Sequence, residues 1–313
     1  MSYGSGKYTY ELVDGWAKYP KGWSILDVGG IAIDQQDRVY VFNRSPHPLM
    51  IFGRDGKMQS TWGEGIFKRA HGSCVDKEGN IYCTDDFNHT VRKFTADGKL
   101  LMTLGTADKP SDTGYVNMFD FFASLVTITR GGGPFNRPTG VAVGPSGNIY
   151  ISDGYGNAQV HKFSHDGKYL LSWGGPGTGP GQFRLPHNIR VDRQERVWVP
   201  DRENSRIQIF DSKGKLLNMW TDQLRPTDLF IDDDKGIVYI SDLADRIRIF
   251  TVDGKLLTEW SSEGKDREKA LFTAPHAIAV DSQGSIYVGE VAYTGFKIDK
   301  GPRAIQKFAR KSR

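Results

Sequence analysis

The sequence predicts an all-β fold, a six-bladed β-propeller forming one domain over residues 1–313. Three observations predict it. A unit of roughly forty residues recurs six times, each unit parses into four short strands, and the last unit lacks a strand that the start of the chain can supply.

The units are set in register by the residue after the first strand of each. That residue is Asp34, Asp76, Gly144, Asp192, Asp232 and Asp281, at intervals of 42, 68, 48, 40 and 49 residues. In unit three the runs VAVG, NIYISD, QVHKF and YLLSW are rich in β-branched and aromatic residues and are separated by Gly-containing turns. No 3.6-residue apolar stripe is sustained, which excludes a helical solenoid. Unit six stops after AIQKFAR, and the N-terminal YTYELVDGWAK resembles the missing fourth strand (compare KLLTEWSS), so the N-terminal strand is expected to close blade six.

Composition narrows the function classes. Charged residues make up 25% and apolar residues 38%, as in a globular chain, and a net charge of +4 supplies no global field for nucleic acid. No apolar run is long enough to span a bilayer. The start MSYGSGKYTYELVDGW lacks the apolar stretch of a secretory signal, and Cys74 and Cys83 make no disulfide framework, so a cytoplasmic protein with buried thiols is expected.

The repeat phase singles out three histidines. Two residues after the Arg or Leu that opens most first strands stand Gly29, His71, Thr139, His187, Thr227 and His276. Histidine occupies blades two, four and six, which a six-fold ring would place at one height about 120° apart. Three imidazoles with a fourth position open are the donor set of a catalytic zinc site, although another divalent metal would also suit them. Of the other histidines, His89, His161 and His165 are expected on outer strands or turns in contact with solvent. His47, in RSPHP, is a candidate for the channel mouth.

The loops joining strands two and three should lie on the histidine side, which brings Arg44, Tyr155 and Arg202 toward the metal. The arginines suit a substrate carboxylate and the tyrosine suits proton transfer. Asp153, Asp201 and Asp242 recur at one repeat position and read as turn-formers. The 68-residue interval marks an inserted aromatic loop at about 107–133, ADKPSDTGYVNMFDFFASLVTITRGGG. Its Met118, Phe119, Phe121 and Phe122 suit a lid or pocket wall, or a dimerisation patch. The blade-six loop AYTGFKIDKGPRA adds Tyr293, Phe296, Lys297, Lys300 and Arg303, whose cations would favour an anionic substrate.

These repeats resemble NHL repeats, and the loops resemble those of the peptidyl-α-hydroxyglycine α-amidating lyases, six-bladed propellers with a zinc held by three histidines. The resemblance rests on VFNRSPH, AHGSCVD, SDGYGN, LPHNI with PDRENSRIQIF, and PHAIAVD. It implies zinc ligation by His71, His187 and His276, a catalytic Tyr155, and active-site roles for Arg44 and Arg202. Ala277 stands where the family has an Asp that binds a structural calcium, which leaves Ca²⁺ open, with Asp228 and main-chain carbonyls as remaining oxygen donors. The secreted lyases are disulfide-bonded, and this chain lacks that framework.

The expected function is that of a metal-dependent lyase acting on a small hydroxylated, anionic substrate. A metal-dependent lactone or ester hydrolase on the same site is the second enzymatic reading. A non-enzymatic NHL platform for RNA or protein is the third, disfavoured by the near-neutral charge. The expected partner is a small molecule rather than nucleic acid or a membrane, and the oligomeric state is left open.

Overall fold

The computed structural model describes residues 2–262 and 266–311; residues 1, 263–265 and 312–313, and with them both ends of the expected 1–313 domain, lie outside the described residues. Six antiparallel sheets make the protein a six-bladed β-propeller. Blade two is typical, with Ala70–Val75, Ile81–Asp85, Thr90–Phe94 and Leu100–Gly105 in order. Second strands such as Val39–Asn43, Ile149–Asp153 and Val197–Asp201 are buried on both faces, so they read as continuous apolar runs. Outer strands such as Leu100–Gly105 are largely exposed.

Blade six joins the two ends of the chain as expected. It takes Pro275–Val280, Ile286–Glu290 and Ile305–Arg310 from the C-terminal repeat and Tyr8–Val13 from the N-terminal segment. Tyr10 stands opposite Arg310 and Val13 opposite Lys307. A further strand, Ser2–Ser5, extends this sheet to five, which the repeat pattern does not foretell.

The described residues group into two compact units. One holds blades one, five and six. Its cores gather Trp16, Ile25, Val28, Phe52 and Tyr287 in one cluster, and Tyr8, Tyr10, Tyr239, Trp260 and Phe308 in another. The second unit, Phe67–Asp76 with Asn80–Pro226, holds blades two, three and four and the insertion. There Tyr150, Val160, Phe183, Leu185, Val197 and Phe210 pack with Leu125 and Ile128 of the insertion.

Two carboxylate devices repeat along the chain. Asp34, Asp192 and Asp281 each accept backbone N–H groups from two and four residues on, and each also takes the polar end of a second-strand aromatic, Tyr40, Trp198 or Tyr287. Blade three has Gly144 at this position. Glu195 of blade four replaces the missing carboxylate, accepting from Ser146 N at 2.5 Å and from Tyr150 OH at 2.9 Å. A Cβ at residue 144 would lie 2.9 Å from Glu195 Oε2, so the glycine makes room for the substitute.

The second device corrects the reading of Asp153 and Asp201 as turn-formers. They end second strands and accept backbone amides leading into their blade's first strand: Asn136 N to Asp153, and Arg184 N and Leu185 N to Asp201. Asp85 does the same for Lys68 N and Arg69 N, and Glu290 for Thr273 N and Ala274 N. Asp242 instead holds Arg248 and Arg246. No helix among the described residues is long and apolar enough to cross a membrane.

Candidate functional site

The register position shared by the histidines falls at an irregularity of the first strand. In blades one, two, three and six the pairing slips at the start of that strand, between Val28 and Gly30, Ala70 and Ser73, Pro138 and Gly140, and Pro275 and Ala277. Gly29, His71, Thr139 and His276 are the residues, or among the residues, left out of register. A bulge re-aims the side chain it carries, and bulges concentrate beside functional sites for that reason. His187 precedes the short strand Arg190–Val191, and its N–H donates to Pro200 O at 2.8 Å.

Burial of all three imidazoles is nearly complete, with His71 and His187 at 0% and His276 at 2% exposed. His71 Nδ1 lies 2.5 Å from Thr139 O, and His276 Nδ1 lies 3.1 Å from Gly29 O. A carbonyl can only accept, so Nδ1 carries a proton, and in the neutral ring Nε2 then keeps its lone pair. The intervening register residues support the next histidine. Thr139 Oγ1 donates to Pro186 O at 2.6 Å, and Thr227 Oγ1 donates to Pro275 O at 3.0 Å, each the carbonyl just before a histidine. Gly72 is required next to His71, because a Cβ there would lie 2.6 Å from Thr139 O.

These donors fit a metal ion. One ligand nitrogen from each of His71, His187 and His276 lies within 4.8 Å of the others, and the three buried histidines could together hold a metal. Buried imidazoles that present Nε2, as carbonyls make His71 and His276 do, are the chemistry that such an ion requires. Asp228, the remaining calcium donor in the sequence reading, accepts Leu229 N at 2.8 Å and Ile278 N at 3.1 Å, and Ala277 is fully buried.

Tyr155 stands with the histidines of blades two and four. Its hydroxyl lies 3.1 Å from His71 Nε2 and 3.2 Å from His187 Nε2. A phenol has one proton to donate, so it serves one of these nitrogens at a time. Around its ring stand three guanidiniums, Arg137 at 5.1 Å, Arg69 at 5.4 Å and Arg202 at 5.7 Å from the centroid. All three lie at cation–π distance from the ring. Arg202 is 5% exposed, and its Nε donates to Glu203 Oε1 at 2.7 Å. Burial opposes the Arg202 cation, but Tyr155 and Glu203 outweigh it and hold the group firmly protonated. Arg69 behaves likewise, with burial outweighed by Asp86.

Arg69 and Arg137 are the functional candidates that sequence reasoning missed. They were in view as the Arg that opens a first strand, but only as markers of register. Their value as a signal lay in standing two residues before His71 and Thr139.

Not every expected residue joins this group. Arg44 Nη1 donates to Thr294 Oγ1 at 2.8 Å and lies 3.5 Å from Asp27, whose oxygens also take the Tyr293 and Thr294 amides. Asp27 thereby fixes the blade-six loop helix Ala292–Phe296 beside Arg44. His47 stacks on Trp23 at 3.4 Å between centroids and pairs with Glu64 at 2.5 Å. Tyr293 and Lys297 are exposed and meet as a cation–π pair at 5.4 Å. Phe121 reaches the site, 6.0 Å from Tyr155 and 5.5 Å from Arg202, whereas Phe119, Phe122 and Met118 are exposed. The insertion folds as a short helix, Phe121–Val126, started by Asp120 accepting from Ala123 N at 2.7 Å.

Three expectations need correction. His161 is wholly buried rather than solvated, because Asp153 at 3.2 Å and Ser172 at 2.6 Å satisfy both ring nitrogens. His89 is half-buried and accepts Arg137 N at 3.1 Å, and only His165 is exposed as expected. Lys300 is not a cation offered to substrate: its ammonium is buried against Glu290 at 3.0 Å and donates to Ala270 O at 2.9 Å. Cys74 and Cys83 are free, and burial pushes the Cys74 thiol up to about 12.

Fold and repeats together define this chain as an NHL-repeat six-bladed β-propeller; the NHL repeat family matches residues 135–163 and 183–210. Among individual proteins, it is similar to human NHL repeat-containing protein 3, with 28% identity over 326 residues covering 98% of this chain and 86% of that protein. It is also similar to peptidyl-alpha-hydroxyglycine alpha-amidating lyase 1 of Drosophila melanogaster, 34% identical over 56% of this chain and 31% of that one. Peptidyl-glycine alpha-amidating monooxygenase B of Xenopus laevis is 30% identical over 59% of this chain, which spans 23% of that larger protein. Of solved structures, virginiamycin B lyase of Staphylococcus aureus has a TM-score of 0.62 at 14% identity, covering 96% of this chain and 99% of that chain. A gluconolactonase of Xanthomonas campestris has 0.61 at 14% identity, covering 98% and 91%. At such identities the likeness is one of fold.

Proposed function

We propose that this protein is a metal-dependent lyase, with zinc the metal best suited to its donors, acting on a small hydroxylated substrate that carries a carboxylate. The observation that supports it is the Tyr155 hydroxyl set between His71 Nε2 and His187 Nε2 under three guanidiniums. The similarity to amidating lyases points to the same chemistry.

His71, His187 and His276 would hold the ion, which supplies Lewis acidity when bound. Tyr155, entering the step as the phenolate, takes the proton of the substrate hydroxyl. Arg202, fixed by Glu203, receives the carboxylate and orients the carbon that bears the hydroxyl. With the proton gone, the C–O pair closes to a carbonyl and the C–N bond breaks. Tyr155 returns its proton to the leaving nitrogen, giving an aldehyde and an amide. Phe121 and the buried insertion residues Leu125 and Ile128 exclude water from Tyr155.

Two measurements test this reading. Protein purified without chelator should carry close to one equivalent of a transition metal, and less than about half an equivalent would overturn it. Tyr155→Phe should keep that metal and lose about 10²- to 10⁴-fold in kcat on carbinolamide substrates. Undiminished turnover removes Tyr155 from the proton transfer.

A further inference from the structure

Around Tyr155 the structure carries more positive charge than one substrate carboxylate needs. Arg69 pairs bidentately with the buried Asp86, through Nε at 2.7 Å and through Nη2. Arg137 reaches the same carboxylate only at 3.5 Å. Glu203 serves both Arg202 and Arg225, each at 2.7 Å. Two carboxylates therefore hold four guanidiniums, which leaves an excess of positive charge. Asp85 and Asp201, next to Asp86 and Arg202 in sequence, are engaged by the Lys68 and Arg69 amides and by Leu185 N and Arg206. Half-buried His89 has its pKa lowered first by burial, so it adds no cation at neutral pH.

Arg137 is the least satisfied of the four. Its Nη1 donates to Tyr115 OH at 2.6 Å, but its Nε, though buried, has no hydrogen-bond partner in the structure. The Phe87 ring, itself 46% exposed, lies 3.9 Å from the Arg69 guanidinium carbon and 5.0 Å from that of Arg137. Side-chain exposure rises from 6% at Arg202 to 13% at Arg137 and 16% at Arg69, so the latter pair is the more open to solvent. The carboxylates and aromatic rings pre-set these guanidiniums, and the remaining N–H donors await an acceptor.

We propose that Arg69 and Arg137 form a subsite for a second anionic group, so that the substrate is a small dianion, bearing either two carboxylates or a carboxylate and a phosphoryl group. The proposal rests on the lyase reading for the word substrate; the subsite itself rests only on the arginines. Arg202 takes the carboxylate beside the reacting carbon, and Arg69 with Arg137 takes the more distant charge. They are positioning residues and selectors for charge.

Calorimetric titration of the purified protein with acetate, succinate and inorganic phosphate tests it, in metal-loaded and chelator-treated samples. The dianions should bind at least about tenfold more tightly than acetate in both samples. Succinate or phosphate as the tighter ligand distinguishes the second group. Arg137→Gln should lose about tenfold in dianion affinity and little for acetate, while Arg137→Lys should restore part of it. Matched circular dichroism and Tm show that the variants fold. Equal binding of acetate and dianions, or dianion binding unaffected by Arg137→Gln, overturns the proposal. Dianion selectivity in a protein without lyase turnover would refute the lyase reading and leave the subsite standing. Turnover of monoanionic and dianionic carbinolamides with equal kcat/KM would do the reverse.

Discussion

Glu203 and Glu290 are both buried carboxylates held by cations, one beside Tyr155 and the other at the end of a blade-six strand, yet they shift in opposite directions. At Glu203 burial pushes the pKa up, but Arg202 and Arg225 outweigh it and hold the carboxyl below its ordinary 4.5. At Glu290 burial also leads, and Lys300 with the Ala274 and Thr273 amides does not overcome it, so the carboxyl is raised. Two guanidiniums serve Glu203, whereas the more completely buried Glu290 has one ammonium. An ammonium has three N–H donors, and Lys300 shares them among four acceptors, Glu290, Ala270 O, Leu271 O and Thr273 Oγ1. A guanidinium has five donors and two flat faces, so Arg202 can hold Glu203, lie over Phe121 and still face Tyr155. A cation in a loop sequence is therefore no guarantee of a cation offered to a ligand.

Substitutions should separate a structural pair from a functional one. The largest effect is expected at Lys300→Met, which leaves Glu290 buried without its cation and should cost about 3–5 kcal/mol of stability in chemical denaturation. Adding Glu290→Leu should recover most of that loss, and turnover per folded molecule should be unchanged throughout. A smaller free-energy change, of opposite kind, is expected from Arg202→Gln. Glu203 keeps Arg225 as partner, so the fold should survive, while kcat/KM falls about 10²- to 10³-fold. Equal stability losses from the two changes would erase the contrast.

The smallest effect concerns pH. A carboxyl whose folded pKa lies below its unfolded value adds stability above that unfolded value and loses it as pH falls through the folded one. Glu203 is such a group, so its contribution is present above about pH 4.5 and declines in more acid solution. Denaturation midpoints taken from pH 6 to about pH 3 should therefore fall less steeply in Glu203→Gln than in the unaltered protein. Parallel curves would show that its arginines add nothing to folding.

Much of the site was legible because the repeat supplies a ruler. His71, His187 and His276 differ in local sequence, AHGS, PHNI and PHAI, and only their shared phase relates them. Tyr155 follows from the same phase through its loop. His161 could not be placed this way: its burial depends on Asp153 across one strand pair and Ser172 across another. Arg69 and Arg137 were visible but unread, because an Arg at a strand start has no stated purpose until a ring appears beside it.

The sequence by itself determined the number of blades, the partner strand for the last one, and the alternation of histidine with threonine or glycine. Each is a property of spacing along one chain, and spacing survives without coordinates. Only the tertiary structure decided which nitrogen each of His71 and His276 presents, which cations are consumed and which keep donors, and that Glu195 of one blade completes the turn of another. Those outcomes depend on competition among acceptors brought together from distant segments, and burial sets how strongly each competitor is held.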